Sequence, residues 1–215
     1  MDRLPGFIVE ISIWAVPILL AVILHEVMHG VVAWTLGDDT ALRAGRLTLN
    51  PLAHIDPFGT VIMPALLLFM GLPVFGYAKP VPVNFGRLRN PRSGMILVAA
   101  AGPITNLTLA TLSAIALHLM VPHLRGPGGS TVILPLALML RASVIINVGL
   151  AVFNLLPLPP LDGGRVVTGL LPLPAARSFA RIERYGFLIL LLLLYTNWVD
   201  RLISPIISTI AGALL

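Results

Sequence analysis

The chain has 215 residues, of which 57% are hydrophobic and 11% charged, with a mean hydropathy of +0.96. Soluble domains carry about 25% charged residues, so the composition excludes an ordinary soluble protein and indicates an integral membrane one, sized for a single helical domain over residues 1–215. The formal charge of +5 comes from basic residues scattered singly between apolar runs, which is a positive-inside pattern and not a nucleic-acid-binding patch; the absence of cysteine excludes disulfides and thiolate metal sites.

The first apolar run, Phe7 to Leu36, is too long for a signal-peptide core and contains ionisable residues, so it is read as a retained span. Residues 37–57 are polar and turn-rich, and within them "GRLTLN" (45–50) alternates as a short strand does. The run 58–75 is broken by Pro64, Gly71 and Pro73 and followed by Gly76, so it either crosses or, as a re-entrant segment, dips in and returns to the same face. A proline-rich basic loop (76–94), an apolar run (95–119) and a loop (121–130) follow. In the run 131–156, Arg141 places the expected start of the span near Ala142. A proline-rich loop covers 157–183. The last run, 185–215, is interrupted by Asp200 and Arg201 and reads as a span with an interfacial helix or as a tight pair. The expectation is an all-α polytopic bundle of about five to six membrane segments with one short β element. If 58–75 re-enters, loops 37–57, 76–94 and 157–184 share a face with ten Lys and Arg. Arg3 and Arg125 lie on the other face, so the shared loops are expected in the cytoplasm of a cell-membrane protein.

The first run contains "HEVMH". Ionisable groups in hydrocarbon cost ~2.5–3.5 kcal/mol each on insertion scales, so they mark function. His25 and His29 are four apart and share a helical face, where two imidazoles can chelate one metal ion with Glu26 placed to act on a water. Zinc held by histidines needs a third protein ligand and an open position. Among the nine acidic residues, Asp162 stands out in "NLLPLPPLDGGR". Prolines end a helix there and two glycines free the backbone to turn a carboxylate toward the bundle.

"HEVMH", "AAAGPITN" (99–106) and "FNLLPLPPLDGGR" (153–165), in this order, resemble the site-2 protease family of intramembrane zinc metalloproteases, over roughly residues 7–170. "GRLTLNPLAHIDPFGT" and "GYAKPVPVN" resemble its compact bacterial and archaeal branch without a PDZ domain. The resemblance implies one Zn2+ ligated by His25, His29 and Asp162, with Glu26 as catalytic acid/base. It also implies Asn154 contacting the substrate backbone or the developing oxyanion. The implied activity is hydrolysis of peptide bonds within or near transmembrane segments of membrane-protein substrates, in contact with membrane lipid. Asn147, seven residues before Asn154, is read as an interhelical hydrogen-bonding residue, and the small residues of "AAAGPITN" as helix-packing ones, with Asn106 bonding across to a neighbour. His54 and Asp56 fit either a gating or a loop-structuring role; His118 and His123 read as interfacial. The competing reading is a non-proteolytic membrane metal-binding or transport protein, which leaves Glu26 and the aspartate after the helix break without a role.

Overall fold

The computed structural model describes residues 3–71, 76–125 and 132–215. The predicted break at Pro73, residues 126–130 of the predicted loop and Thr131 lie outside the described residues. In hydrocarbon every backbone polar group must find its partner within the chain, and the apolar runs accordingly fold as helices: 79% of the structure is helical. These are α1 (Arg3–Thr35), α2 (Thr40–Arg43), α3 (Met63–Phe69), α4 (Pro91–Met120), α5 (Leu134–Asn154), α6 (Asp162–Leu170), α7 (Leu173–Ala180), α8 (Glu183–Tyr195) and α9 (Trp198–Leu214).

Helices α1, α4 and α5 pack pairwise as the central bundle, and α9 lies against α5. Small side chains permit the close approach. Ala110 and Ala114 of α4 meet Val144 and Val148 of α5 and Ala211 of α9 in one buried cluster. A second cluster, Leu161, Leu190, Val199 and Ile203, seats the 155–161 turn on α8 and α9.

Among the described residues, three helices are long and apolar enough to cross a membrane: Ile11–Thr35, Pro91–Leu124 and Leu134–Asn154. Helices α8 and α9 make a fourth only if counted together. They bend by 76° at a break where Asn197 takes a left-handed backbone, φ 57°. The described residues thus hold three or four candidate spans, and the apolar helix Pro57–Phe69, opening with a π-helical turn (Pro57–Ile62), is a further, shorter apolar segment. At 1.5 Å per residue it reaches roughly 20 Å, short of a ~30 Å hydrocarbon core. Beyond it the chain returns to its starting level: Tyr77 N–H donates to Gly59 O (3.1 Å) and Lys79 N–H to His54 O (2.9 Å).

Three expectations change. Residues 45–50 form no strand among the described residues. Arg46 N–H donates to Ala41 O (3.0 Å) in a turn, and no neighbouring strand lies alongside to complete a ladder. Helix α5 begins at Leu134, not near Ala142, with Arg141 on its exposed side. The loop expected over 157–183 contains α6 and α7.

The C-terminal end of α1, the N-terminal end of α4 and the turn after α5 meet on one side of the bundle, where their loops are tied together. Arg89 N–H donates to Leu36 O (2.9 Å). Asn84 N–H donates to Asp38 Oδ2 (2.6 Å), and Arg46 Nη2 to Lys79 O (2.7 Å). Arg165 stacks over Phe85, 5.7 Å from the ring centre. Arg92 donates to Gly169 O (2.7 Å), Leu170 O (3.0 Å) and Leu171 O (2.6 Å), capping the carbonyls at the end of α6.

Candidate active site

His25 and His29 project from one face of α1 into the bundle, both buried. Asp162, the first residue of α6, comes to meet them. After Asn154 the chain turns through Pro157–Pro160, and Gly163 and Gly164 lie against the backbone of Leu155 and Pro159, where no Cβ fits. The helix start is thereby pressed onto the turn, and the Asp162 carboxylate faces α1. Its Oδ2 lies 3.2 Å from His25 Nε2 and 3.3 Å from His29 Nε2, and the two Nε2 atoms are 3.0 Å apart. The rings stand nearly perpendicular, 87°, with centroids 4.6 Å apart.

Helix α4 determines which atoms face inward, through three positions one turn apart. Asn106 Nδ2 donates to Ala21 O (3.2 Å) and Asn147 Oδ1 (2.8 Å), so its Oδ1 is the atom 2.6 Å from His25 Nδ1. Asn147 is fixed in turn, its Nδ2 donating to Ser143 O (2.9 Å). His25 Nδ1–H is therefore the donor to Asn106. His29 Nδ1–H likewise donates to Val98 O (2.7 Å). Between these contacts sits Gly102, where a Cβ would stand 2.5–2.6 Å from Cε1 and Nε2 of His25 and Nε2 of His29.

With Nδ1 donating, a neutral imidazole leaves its Nε2 as a lone-pair acceptor, and Asp162 Oδ2 is a buried acceptor with no hydrogen-bond partner. Three acceptors converging on one point repel each other unless a cation lies between them. Ligand atoms 2.0–2.1 Å from a tetrahedral ion stand about 3.3 Å apart, matching the observed spacings. The three residues are the group among the described residues able to hold a metal ion.

The model of Peptidase family M50 matches residues 128–195, which include Asp162 but not "HEVMH". YwhC of Bacillus subtilis, named as a candidate zinc metalloprotease, is 39% identical over 197 residues, covering 90% of this chain and 84% of the relative. The chain belongs to peptidase family M50. Rip2 of Mycolicibacterium smegmatis, named in the same way, is 31% identical over 196 residues, covering 91% of this chain and 70% of the relative. Rip2 of Mycobacterium tuberculosis is 30% identical over 190 residues, covering 87% and 66%. No solved structure matches the chain.

In this M50 chain Glu26 is half-buried, and its Oε2 accepts a hydrogen bond from Val81 N–H (2.9 Å). Asn154 is not joined to the cluster: its Nδ2 donates to Leu150 O of its own helix (3.0 Å). Asp56 structures its loop, accepting from Phe58 N–H (3.0 Å) and Gly59 N–H (2.7 Å). His54 is buried, its Nε2 2.9 Å from Thr48 O. His118 bonds within α4, to Ala114 O.

The sequence reading did not place Val98 and Gly102 at the site. It assigns the small residues of the α4 motif to helix packing and Asn106 to a bond across to a neighbour; that neighbour is His25 of the cluster. The available signal was the spacing of Gly102 and Asn106, which puts both on one helical face.

Proposed function

We propose that this chain is a zinc-dependent endopeptidase that hydrolyses peptide bonds within or near transmembrane segments of membrane proteins. His25, His29 and Asp162 hold the ion, and Glu26 is the acid/base. The observation that carries this reading is the buried Asp162 Oδ2, without a hydrogen-bond partner and within 3.3 Å of two imidazole nitrogens that, in neutral rings donating from Nδ1, are acceptors like itself. The names of the M50 relatives point to zinc, which suits two imidazoles and a carboxylate.

When bound, zinc supplies a Lewis acid and makes water nucleophilic near neutral pH. The rest of the chemistry falls to the chain's own residues. Glu26 keeps Oε2 on the Val81 amide, so Oε1 is the oxygen that takes the water proton as the new C–O bond forms. Glu26 then passes that proton to the amide nitrogen as the C–N bond breaks. Asn154 stands where α5 ends and the chain turns toward Asp162. Released from Leu150 O, its amide is placed to donate to substrate backbone or to the developing oxyanion.

A helical substrate must be held extended before attack. Residues 45–50 pair with no strand among the described residues and offer a backbone edge for that purpose. The short helix Pro57–Phe69, whose chain returns to its starting level, is read as re-entrant. The linked loops carry ten of the 14 basic residues, which favours a cytoplasmic position for this side of a cell-membrane protein.

The test is Glu26→Gln in purified protein with a single-span reporter. Zinc content is expected to stay stoichiometric while cleavage falls by about 10²–10⁴-fold. Cleavage that survives the substitution refutes the assignment.

A further inference from the structure

The segment Lys79-Pro80-Val81-Pro82-Val83-Asn84 runs along the C-terminal half of α1 as a strap fixed at both ends. Lys79 N–H donates to His54 O (2.9 Å), and Lys79 O accepts from Arg46 Nη2 (2.7 Å). At the other end Asn84 N–H donates to Asp38 Oδ2 (2.6 Å). Proline has no N–H, so across residues 80–82 the backbone offers a single donor, that of Val81. That donor meets Glu26 Oε2 at 2.9 Å. Residues preceding proline are confined to extended conformations, so Pro80 restricts Lys79, Pro82 restricts Val81, and the strap cannot coil away from the carboxylate. Gly30 lets it settle this close: a Cβ there would stand 2.8 Å from Val81 Cγ1. The Val81 side chain is buried in the gap.

We infer that Val81 is a positioning residue for catalysis: its backbone N–H fixes the rotamer of Glu26 and dedicates one carboxylate oxygen to the strap, leaving the other for proton transfer. The inference rests on the proposed peptidase reading. A glutamate side chain has three rotatable bonds, and a charge-assisted hydrogen bond to a rigid backbone removes most of that freedom. The contribution falls on turnover and not on substrate affinity, because the Val81 N–H bonds to Glu26 and not to a residue of the metal cluster.

Val81→Pro tests this directly. Val81 already precedes a proline, so a proline ring suits its extended backbone; the N–H is what the substitution deletes. Val81→Ala is the reference, since it also loses the packed side chain but keeps the N–H. With zinc-loaded full-length protein and a single-span reporter, Val81→Pro is expected to show kcat at least about tenfold below Val81→Ala. KM is expected within about threefold and zinc content equal. An ester in place of the 80–81 amide exchanges only the N–H for oxygen. It should reproduce the loss, and it decides the matter if the proline variant fails to retain zinc. Equal kcat for the amide and ester proteins, or for Val81→Pro and Val81→Ala with zinc retained, overturns the inference. Glu26→Gln, measured alongside, separates the two levels. If it still cleaves, the peptidase reading falls; if it is inactive while the Val81 comparison shows no difference, only the role of Val81 falls.

Discussion

Gly102→Ala is the smallest perturbation aimed at the metal cluster, and its size follows from the geometry. The added Cβ would stand 2.5 Å from His25 Cε1 and 2.6 Å from each Nε2, against 3.4 Å for ordinary contact. The rings or α4 must give way by roughly 0.9 Å, whereas a metal site tolerates about 0.2 Å in its ligand distances. Neither ring can simply swing aside: His25 is held by Asn106 and His29 by Val98 O. Zinc affinity is expected to fall by about 100-fold or more, the upper end of what displaced supporting groups cost, and cleavage with it. Competition titration against a chromophoric chelator gives the affinity, and a single-span reporter gives the activity. Gly149→Ala on α5 is the control, since its Cβ meets only Ile207 Cδ1, at 3.9 Å. It makes the same chemical change in a span and should leave zinc binding unaltered. Gly102→Ala protein that binds zinc within about threefold of the parent would refute the idea that the histidines are clamped from both sides.

Asn106→Leu removes the acceptor for His25 Nδ1–H; zinc affinity should drop by about 10–100-fold in the same titration, and an unchanged affinity would mean the amide chain to Asn147 is only packing. Arg92→Ala frees the C-terminal carbonyls of α6, so its N-terminal residue Asp162 should be less firmly placed: a zinc affinity about tenfold weaker is expected, with faster amide exchange across 162–170. Asp38 is fully buried, which alone would raise its carboxyl. Hydrogen bonds from the Thr40 hydroxyl and from the Asn84 and Thr40 amides, with Arg87 near, outweigh burial and hold it below its ordinary value. A depressed carboxyl stabilises the fold above its unfolded pKa of about 3.9 and loses that contribution as pH falls through the folded value. Asp38→Asn should therefore lower Tm at pH 7, with the gap closing below about pH 4; a gap constant with pH would show that the charge is not what matters. Thr48→Pro deletes a backbone donor from the 45–50 edge, so cleavage should fall about tenfold with zinc retained, and normal cleavage would remove substrate pairing there.

The convergence of His25, His29 and Asp162 was legible because each lies in a local pattern with its own physical meaning. A four-residue spacing defines a helical face, and a proline-glycine break defines a turn-back. Of the supporting residues, Asn106 and Asn147 were legible as groups that bond between helices, but not as the support of His25. Whether Asn106 reaches His25 or lipid depends on the rotation of α4 against α1, which is decided by packing among Ala99, Gly102, Ala110 and their neighbours and not by anything local to Asn106. Hydropathy registers apolar runs such as 58–75 but not whether a run is one helix long enough to cross. The interruption of the last run at Asp200 and Arg201 did show in the sequence, and that run is two helices that bend by 76° at a break beside Asn197. The alternation in "GRLTLN" was real, but a strand needs a partner, and the described residues supply none. Asn154 sits where the sequence placed it, at the end of α5, with its amide turned to its own helix.

The two histidines lean on different kinds of support. His25 rests on a side chain, and His29 on the main-chain carbonyl of Val98. A carbonyl is present whatever residue occupies the position, so no ordinary substitution at 98 deletes it, while almost any at 106 deletes the amide. A saturation scan of α4 would thus report one intolerant polar position where the molecule uses two. Half of the support would be silent to genetics and visible only to methods that edit the backbone itself.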